Sequence, residues 1–191
     1  MKNTKKNYQA KNIRPTRDYF RILPIAAAMA ASGFIQPALA VDRTWFGGTG
    51  DFGVDTNWSP AGVPGSGDKA IINSGNSTLS FNAGITSLDL FGGTLSGTGN
   101  LTLSGLSTWT AGDIVGAATA QFDGGLSITG AGQKDIGGGR IINASDTTWS
   151  GNTSNNNNAI RFNGGTINNT GTWTDANSFD SFMDDFNGTN A

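Results

Sequence analysis

Thr108-Trp109-Thr110, Thr148-Trp149-Ser150 and Thr172-Trp173-Thr174 are three variants of one phrase. Phe91-Gly92-Gly93-Thr94-Leu95, Phe122-Asp123-Gly124-Gly125-Leu126 and Phe162-Asn163-Gly164-Gly165-Thr166-Ile167 are variants of another. The three Trp residues return at intervals of 40 and 24. Intervals near 20 and its double are what a solenoid produces when each coil takes about 20 residues and some coils are longer. Between these phrases run short alternations of apolar and small polar residues: Leu79-Ser80-Phe81, Ile85 to Leu90, Leu101-Thr102-Leu103, Leu126-Ser127-Ile128 and Ile160-Arg161-Phe162. Alternation with period two marks strands with one buried face. Glycine punctuates them, supplying the positive φ of sharp bends.

The reading is an all-β chain folded as a right-handed parallel β-helix, with an antiparallel β-sandwich as the alternative. A sandwich also has many short strands, but does not require like side chains to return at coil spacing. Stacked coils do, because each rung lies over its copy. Inward Leu, Ile, Val and Phe then form columns, and outward Thr and Asn form ladders. About 20 residues per coil gives roughly seven coils, about 33 Å tall.

Composition agrees. The 191 residues include 29 Gly, 22 Thr, 20 Asn and 16 Ser, and all 14 acids are Asp. These are poor helix formers. Neither Cys nor His occurs, which removes thiol nucleophiles, Ser-His-Asp triads and the usual zinc and haem ligands.

Residues 1–40 read as a signal peptide. They hold seven of the twelve cations, an apolar run from Ile22 to Ile35, and then Pro37-Ala38-Leu39-Ala40. That order predicts export and cleavage after Ala40, and the apolar run is too short for a stable membrane anchor. The remaining 151 residues carry five cations against 13 Asp, a net charge of −8. Such a chain offers no basic face for nucleic acid. Residues 41–76, with Trp45, Trp58, Pro60 and Pro64, read as an N-terminal cap; residues 77–176 read as the coils. In the tail, residues 177–191, Phe179, Phe182, Met183 and Phe186 fall at helical spacing with Ser178 as a cap. A short C-terminal capping helix and a truncated coil both fit.

The opening Asn57-Trp58-Ser59-Pro60…Val63-Pro64-Gly65-Ser66-Gly67-Asp68-Lys69-Ala70-Ile71-Ile72 resembles that of many large bacterial surface proteins. The runs FGGTLSGTGNLTLSGLSTWTAGDIVG, GGGRIINASDTTWSGN and FNGGTINNTGTWTDANSF are similar to the right-handed β-helical repeats of autotransporter-like passengers and adhesin-like proteins. The resemblance implies a structural or adhesive passenger at the cell surface or outside the cell, with the periplasm also open. Surface glycans, or host or neighbouring cell surfaces, are the partners it implies. No membrane barrel follows and no Asn-Pro-Asn motif occurs, so a small relative or a fragment of a longer protein is expected.

Candidate sites are few. Trp109, Trp149 and Trp173 each sit between hydroxyl residues, so they form either an outward sugar-stacking strip or part of the core. The outward case makes the chain a carbohydrate-binding module. Asp89, Asp113, Asp123, Asp135 and Asp146 could be gathered by stacking, as in polysaccharide lyases and hydrolases, with Lys134 and Arg140 nearest in sequence. The ordinary meaning of these Asp residues is solubility, and no catalytic residue is assigned. Gly47 to Asp55 resembles a calcium-binding nonapeptide, but Phe52 holds the place of its Asp, so a Gly-rich cap loop is expected and no metal or other cofactor.

Overall fold

The computed structural model describes residues 39–151 and 159–185; the signal-peptide reading of 1–38 and the loop reading of Asn155 to Asn158 lie outside them. The chain enters with β1 (Asp42–Trp45) and β2 (Thr49–Asp51), then a single 3-10 turn (Asp55–Asn57) and β3 (Trp58–Ser59). Three strands then repeat per coil. The sets are β4 (Lys69–Ile72), β5 (Asn76–Thr78), β6 (Ala83–Ile85); β7 (Ser87–Leu90), β8 (Thr94–Ser96), β9 (Leu101–Leu103); and β10 (Ser107–Trp109), β11 (Gly112–Val115), β12 (Thr119–Phe122). After them come β13 (Leu126–Ile128), β14 (Lys134–Gly137), β15 (Ile141–Ala144) and β16 (Thr147–Trp149), β17 (Ala159–Asn163), β18 (Thr166–Asn169). β19 (Trp173–Asp175) and β20 (Phe182–Asp185) begin a further coil.

Every third strand pairs with its counterpart in the next coil, giving three sheets. Sheet A runs β3-β1-β4-β7-β10-β13-β16-β19, sheet B runs from β2 through β5, β8, β11, β14 and β17 to β20, and sheet C runs from β6 through β9, β12 and β15 to β18. Among the named strands all pairs are parallel except β1 with β3. Over the described residues the chain is therefore a parallel β-helix of five complete three-stranded coils, with two strands of a further coil before them and two after. An antiparallel sandwich is excluded. Coil length varies with its corners: Thr78 and Ser96 stack 18 residues apart, Thr94 and Asp113 19, Gln121 and Asn143 22, Asp135 and Arg161 26.

The interior is a set of vertical columns. In sheet A, Ile72, Leu90, Trp109, Ile128 and Trp149 lie in register, all buried. Trp45 extends this line below Ile72, and Trp58 lies over it across the antiparallel β1–β3 pair. In sheet B, Leu95, Ile114, Ile136 and Phe162 stack; in sheet C, Leu101, Ala120, Ile142 and Ile167. Burial of these side chains supplies the driving force, each fully buried Leu or Ile contributing about 1.5–3 kcal/mol. In sheets A and B these lines meet polar residues, Asp175 beside Trp149 and Asp185 beside Phe162, and in sheet C a second column of Leu103, Phe122 and Ala144 meets Asn169.

The segment 41–76 contains both a cap and the first coil. β1 and β2 already stack in parallel on β4 and β5, while Phe52, Trp58 and β3 cover them. Phe52 and Trp58 meet edge to face at 4.8 Å, Trp45 and Trp58 at 5.1 Å, and Trp58 Nε1 donates to the Phe52 carbonyl at 2.8 Å. In the tail, Phe182 to Asp185 form a strand on β17, as a further coil requires and a helix does not; residues 186–191, with Phe186 of the helical spacing, lie outside the described residues. Pairing with a sheet edge overrides a local 3.6-residue pattern rich in Asp and Asn.

Corners set a second requirement, because the chain must turn sharply there while the coils stay one strand spacing apart. Gly75, Gly93 and Gly112 stack at the corner between sheets A and B with φ between +75° and +90°. A Cβ on Gly93 would lie 2.5 Å from the Gly75 carbonyl oxygen, and one on Gly112 2.2 Å from that of Gly93. Trp45 Nε1 and Trp109 Nε1 donate to the carbonyls of Gly48 and Gly112, three residues on in each case. Arg140 serves the corner between sheets B and C. Fully buried, it donates from Nε and Nη2 to the Val115 carbonyl, from Nη2 to Gly97 and from Nη1 to Gly99, which ties three coils together.

Buried carbonyls left without donors cost about 1–3 kcal/mol each. Arg140→Ala is expected to lower the unfolding free energy by about 3 kcal/mol or more, read from urea denaturation; a change below about 1 kcal/mol would show that the corner carbonyls do not need it.

Candidate functional site

Trp109 and Trp149 are 1% and 2% exposed and belong to the inward sheet A column. Of the two orientations open from sequence, these two take the core. Trp173 is two places out of line: it lies beside Thr147, and Asp175 lies beside Trp149. Trp173 is partly exposed and meets Trp149 edge to face at 6.3 Å. With Phe162, Ile167, Asn169 and Met183 it lines an open cavity of about 340 Å³ at the last coil. A three-membered outward strip is therefore not formed; one indole reaches the surface.

The outward face of sheet B carries the densest chemistry. Thr94, Asp113, Asp135, Arg161 and Asp184 follow one another in register on β8, β11, β14, β17 and β20. Asp113 Oδ2 accepts from Thr94 Oγ1 at 3.2 Å. Asp135 accepts from Arg161 through both oxygens, Nε at 2.6 Å and Nη2 in a second close bond, and from Gln133 Nε2 at 3.0 Å. Burial raises the Asp113 pKa; the Thr94 bond opposes this, Asp135 adds repulsion, and Arg161 draws it back. Stacking thus brings together Asp113 and Asp135, two of the five Asp residues marked in the sequence.

The other three are apart. Asp89 faces outward on sheet A, 3.2 Å from Lys69 Nζ; Asp123 accepts from Gln121; Asp146 accepts from the Thr172 amide. Arg161, not Lys134 or Arg140, is the cation beside the pair. Only the register of β14 on β17 reveals this, since Arg161 is 26 residues from Asp135. Chemically, the arrangement is a carboxylate neutralised by a bidentate guanidinium, next to a carboxyl held by a hydroxyl.

Lys134 points inward, fully buried, and its Nζ donates to the carbonyls of Gly130 at 3.1 Å and Gly132 at 2.6 Å. Burial pushes its pKa down to about 8. Burial also lowers that of Arg140, which still keeps its charge at neutral pH. The Gly-rich loop resembling a calcium nonapeptide is held by its own acids: Asp51 accepts from the Gly53 amide and Asp55 from the Val63 amide. Among the described residues no group of three acids is placed to hold a metal ion.

Where the cap meets the coils, Asp68 accepts from the Val41 amide at 2.9 Å, Arg43 Nε at 3.1 Å and the Gly65 amide at 3.0 Å. Burial would raise its pKa, but the bonds from Gly65, Arg43 and Val41 outweigh it and hold the carboxyl below its ordinary range. Compared with models of known protein families, with curated proteins and with solved structures, the chain matches none.

Lys134 gives a pH dependence with a defined sign. Its folded pKa lies below its unfolded one, so between about pH 8 and 10.5 the unfolded chain binds the extra proton and stability rises with pH. The gain across that window is about 3 kcal/mol. It should appear as the difference between the original chain and Lys134→Met in urea unfolding at pH 7 and pH 10.5. Residues 41–191 contain no Tyr, Cys or His, and the substitution removes Lys134 alone. Equal pH slopes would refute the assignment.

Proposed function

We propose that this chain is an exported, surface-displayed β-helical passenger whose work is structural or adhesive. The observation that carries this reading is the outward ladder system of the coils. Asp89, Thr108, Ser127, Thr148 and Thr174 line one face, and Asn76, Thr94, Asp113, Asp135 and Arg161 line a second. Such rows of short polar groups give a stiff, hydrated surface whose extent grows with every coil. The leader-like residues 1–40 support export, and the resemblance to autotransporter-like and adhesin-like repeats supports display.

Charge supports a partner other than nucleic acid. Of the five cations in residues 41–191, Arg43, Lys69 and Arg161 face Asp68, Asp89 and Asp135, and Lys134 and Arg140 are buried. A non-catalytic reading draws support from the same bookkeeping, since each marked Asp already engages a neighbour. A second reading, carbohydrate binding, is favoured by one observation: Trp173 at the edge of the cavity with Phe162, Ile167 and Met183. An indole face beside an apolar floor suits a sugar ring.

An antibody raised against folded residues 41–191 is expected to bind intact source cells; binding only after the envelope is opened would overturn display in favour of the periplasm. For the second reading, Trp173→Ala should weaken retention on immobilised glycans roughly tenfold without loss of fold. Unchanged retention, or none in the original chain, would remove it. Trp109→Ala and Trp149→Ala are poor probes because they empty the core.

A further inference from the structure

We propose that the amino terminus released by cleavage after Ala40 is itself a working part of the fold: the α-ammonium of Val41 becomes a second cationic partner of Asp68 and locks the first coil to the next. This rests on the export reading above. The geometry is already in place. The Val41 main-chain nitrogen lies 2.9 Å from Asp68 Oδ1, and the Val41 carbonyl accepts from the Lys69 amide at 3.1 Å. Among the described residues, Val41 is the first along the chain to bond into the fold. Ala40 is exposed, and Leu39 is 87% exposed. The small-x-small ending and the first anchored residue therefore meet at one peptide bond.

Cutting that bond changes the charge on Asp68's partner and little else. Hydrolysis consumes one water, leaves a carboxylate on Ala40 and frees an amine on Val41, which takes up a proton. The Asp68 carboxylate, 13% exposed, then holds an ammonium where it held a neutral amide. Its other oxygen keeps Arg43, whose Nη1 reaches on to the carbonyls of Pro60 and Ala61 in the cap loop. The remaining charged groups nearby are Asp42 on β1 and Lys69 on β4, the latter engaged by Asp89. One carboxylate thus joins the new terminus, the cap loop and the start of β4, and the precursor is the less stable of the two forms. Stability completed by removal of the leader suits a chain that must cross a membrane before folding is final.

An opposite charge at this distance raises an amine's pKa. The lock is thus fully present below the ordinary α-amine range and is lost as pH rises through the raised value. Because Lys134 acts in the opposite sense over the same range, the amine is titrated directly. The chain recovered after export is sequenced from its amino terminus, and its α-amine is titrated by the pH dependence of competitive acetylation, folded and in urea. The expected result is a start at Val41-Asp42-Arg43-Thr44 and a pKa about one unit above the ordinary 7.7–8.0, vanishing in urea and in Asp68→Asn. Should Asp68→Asn not fold, the urea comparison on the unaltered chain decides alone. A start at Val41 with the same pKa folded and unfolded overturns the lock and leaves export standing. A chain that begins elsewhere, or keeps its leader, overturns the export reading and the lock with it.

Discussion

Main-chain hydrogen bonding between successive coils is the constraint from which the rest follows. Parallel ladders hold each coil about one strand spacing, roughly 4.8 Å, from the next. At that distance every inward side chain must fit the one above it, which is why Ile72, Leu90, Trp109, Ile128 and Trp149 form one column. The same ladders consume the backbone donors and acceptors of the strands and part of those at the corners. Some corner carbonyls take main-chain amides from the next coil, and others take donors from side chains. Trp45, Trp109, Lys134 and Arg140 supply these side-chain donors. Buried cations in a chain with only five cations outside its leader-like segment are thus a consequence of the coil and not an oddity.

Outside, the same registry works on polar groups. An Asp placed over an Asp would repel, and sheet B answers with Thr94 on one side of the Asp113–Asp135 pair and Arg161 on the other. The surface that results is acidic, with its cations internally engaged. Asp68 plays the corresponding part at the first coil, where burial is outweighed by three donors, Val41 and Arg43 at the start of β1 and Gly65 in the loop before β4. Interior packing, corner donors and outward ladders are three results of one stacking rule.

The two phrases that pointed to coils differ in how well they reported position. Trp45, Trp109 and Trp149 do share a column, yet Trp173 is displaced by two residues. The Phe-Gly-Gly-type phrases mark three different corners: Phe91 follows β7 in sheet A, Phe122 ends β12 in sheet C, and Phe162 lies in β17 of sheet B. They record the chemistry of leaving a strand, which every corner shares, and not a fixed place in the coil. The expected strand at Leu79 to Phe81 likewise falls just past β5, and the run Ile85 to Leu90 bends at Thr86 between β6 and β7.

By itself the sequence determined that this chain is built of short strands and glycine corners in a stack. Alternation and positive-φ positions are local properties of a backbone, legible within a few residues. Only the tertiary structure decided which residues meet: Arg161 on Asp135, Lys134 and Arg140 inside, Trp109 and Trp149 in the core, and Phe182 to Asp185 as a strand. The physical reason is that coil length varies from 18 to 27 residues while the ladder spacing stays constant. Counting along the chain therefore loses the register that hydrogen bonds between distant segments keep.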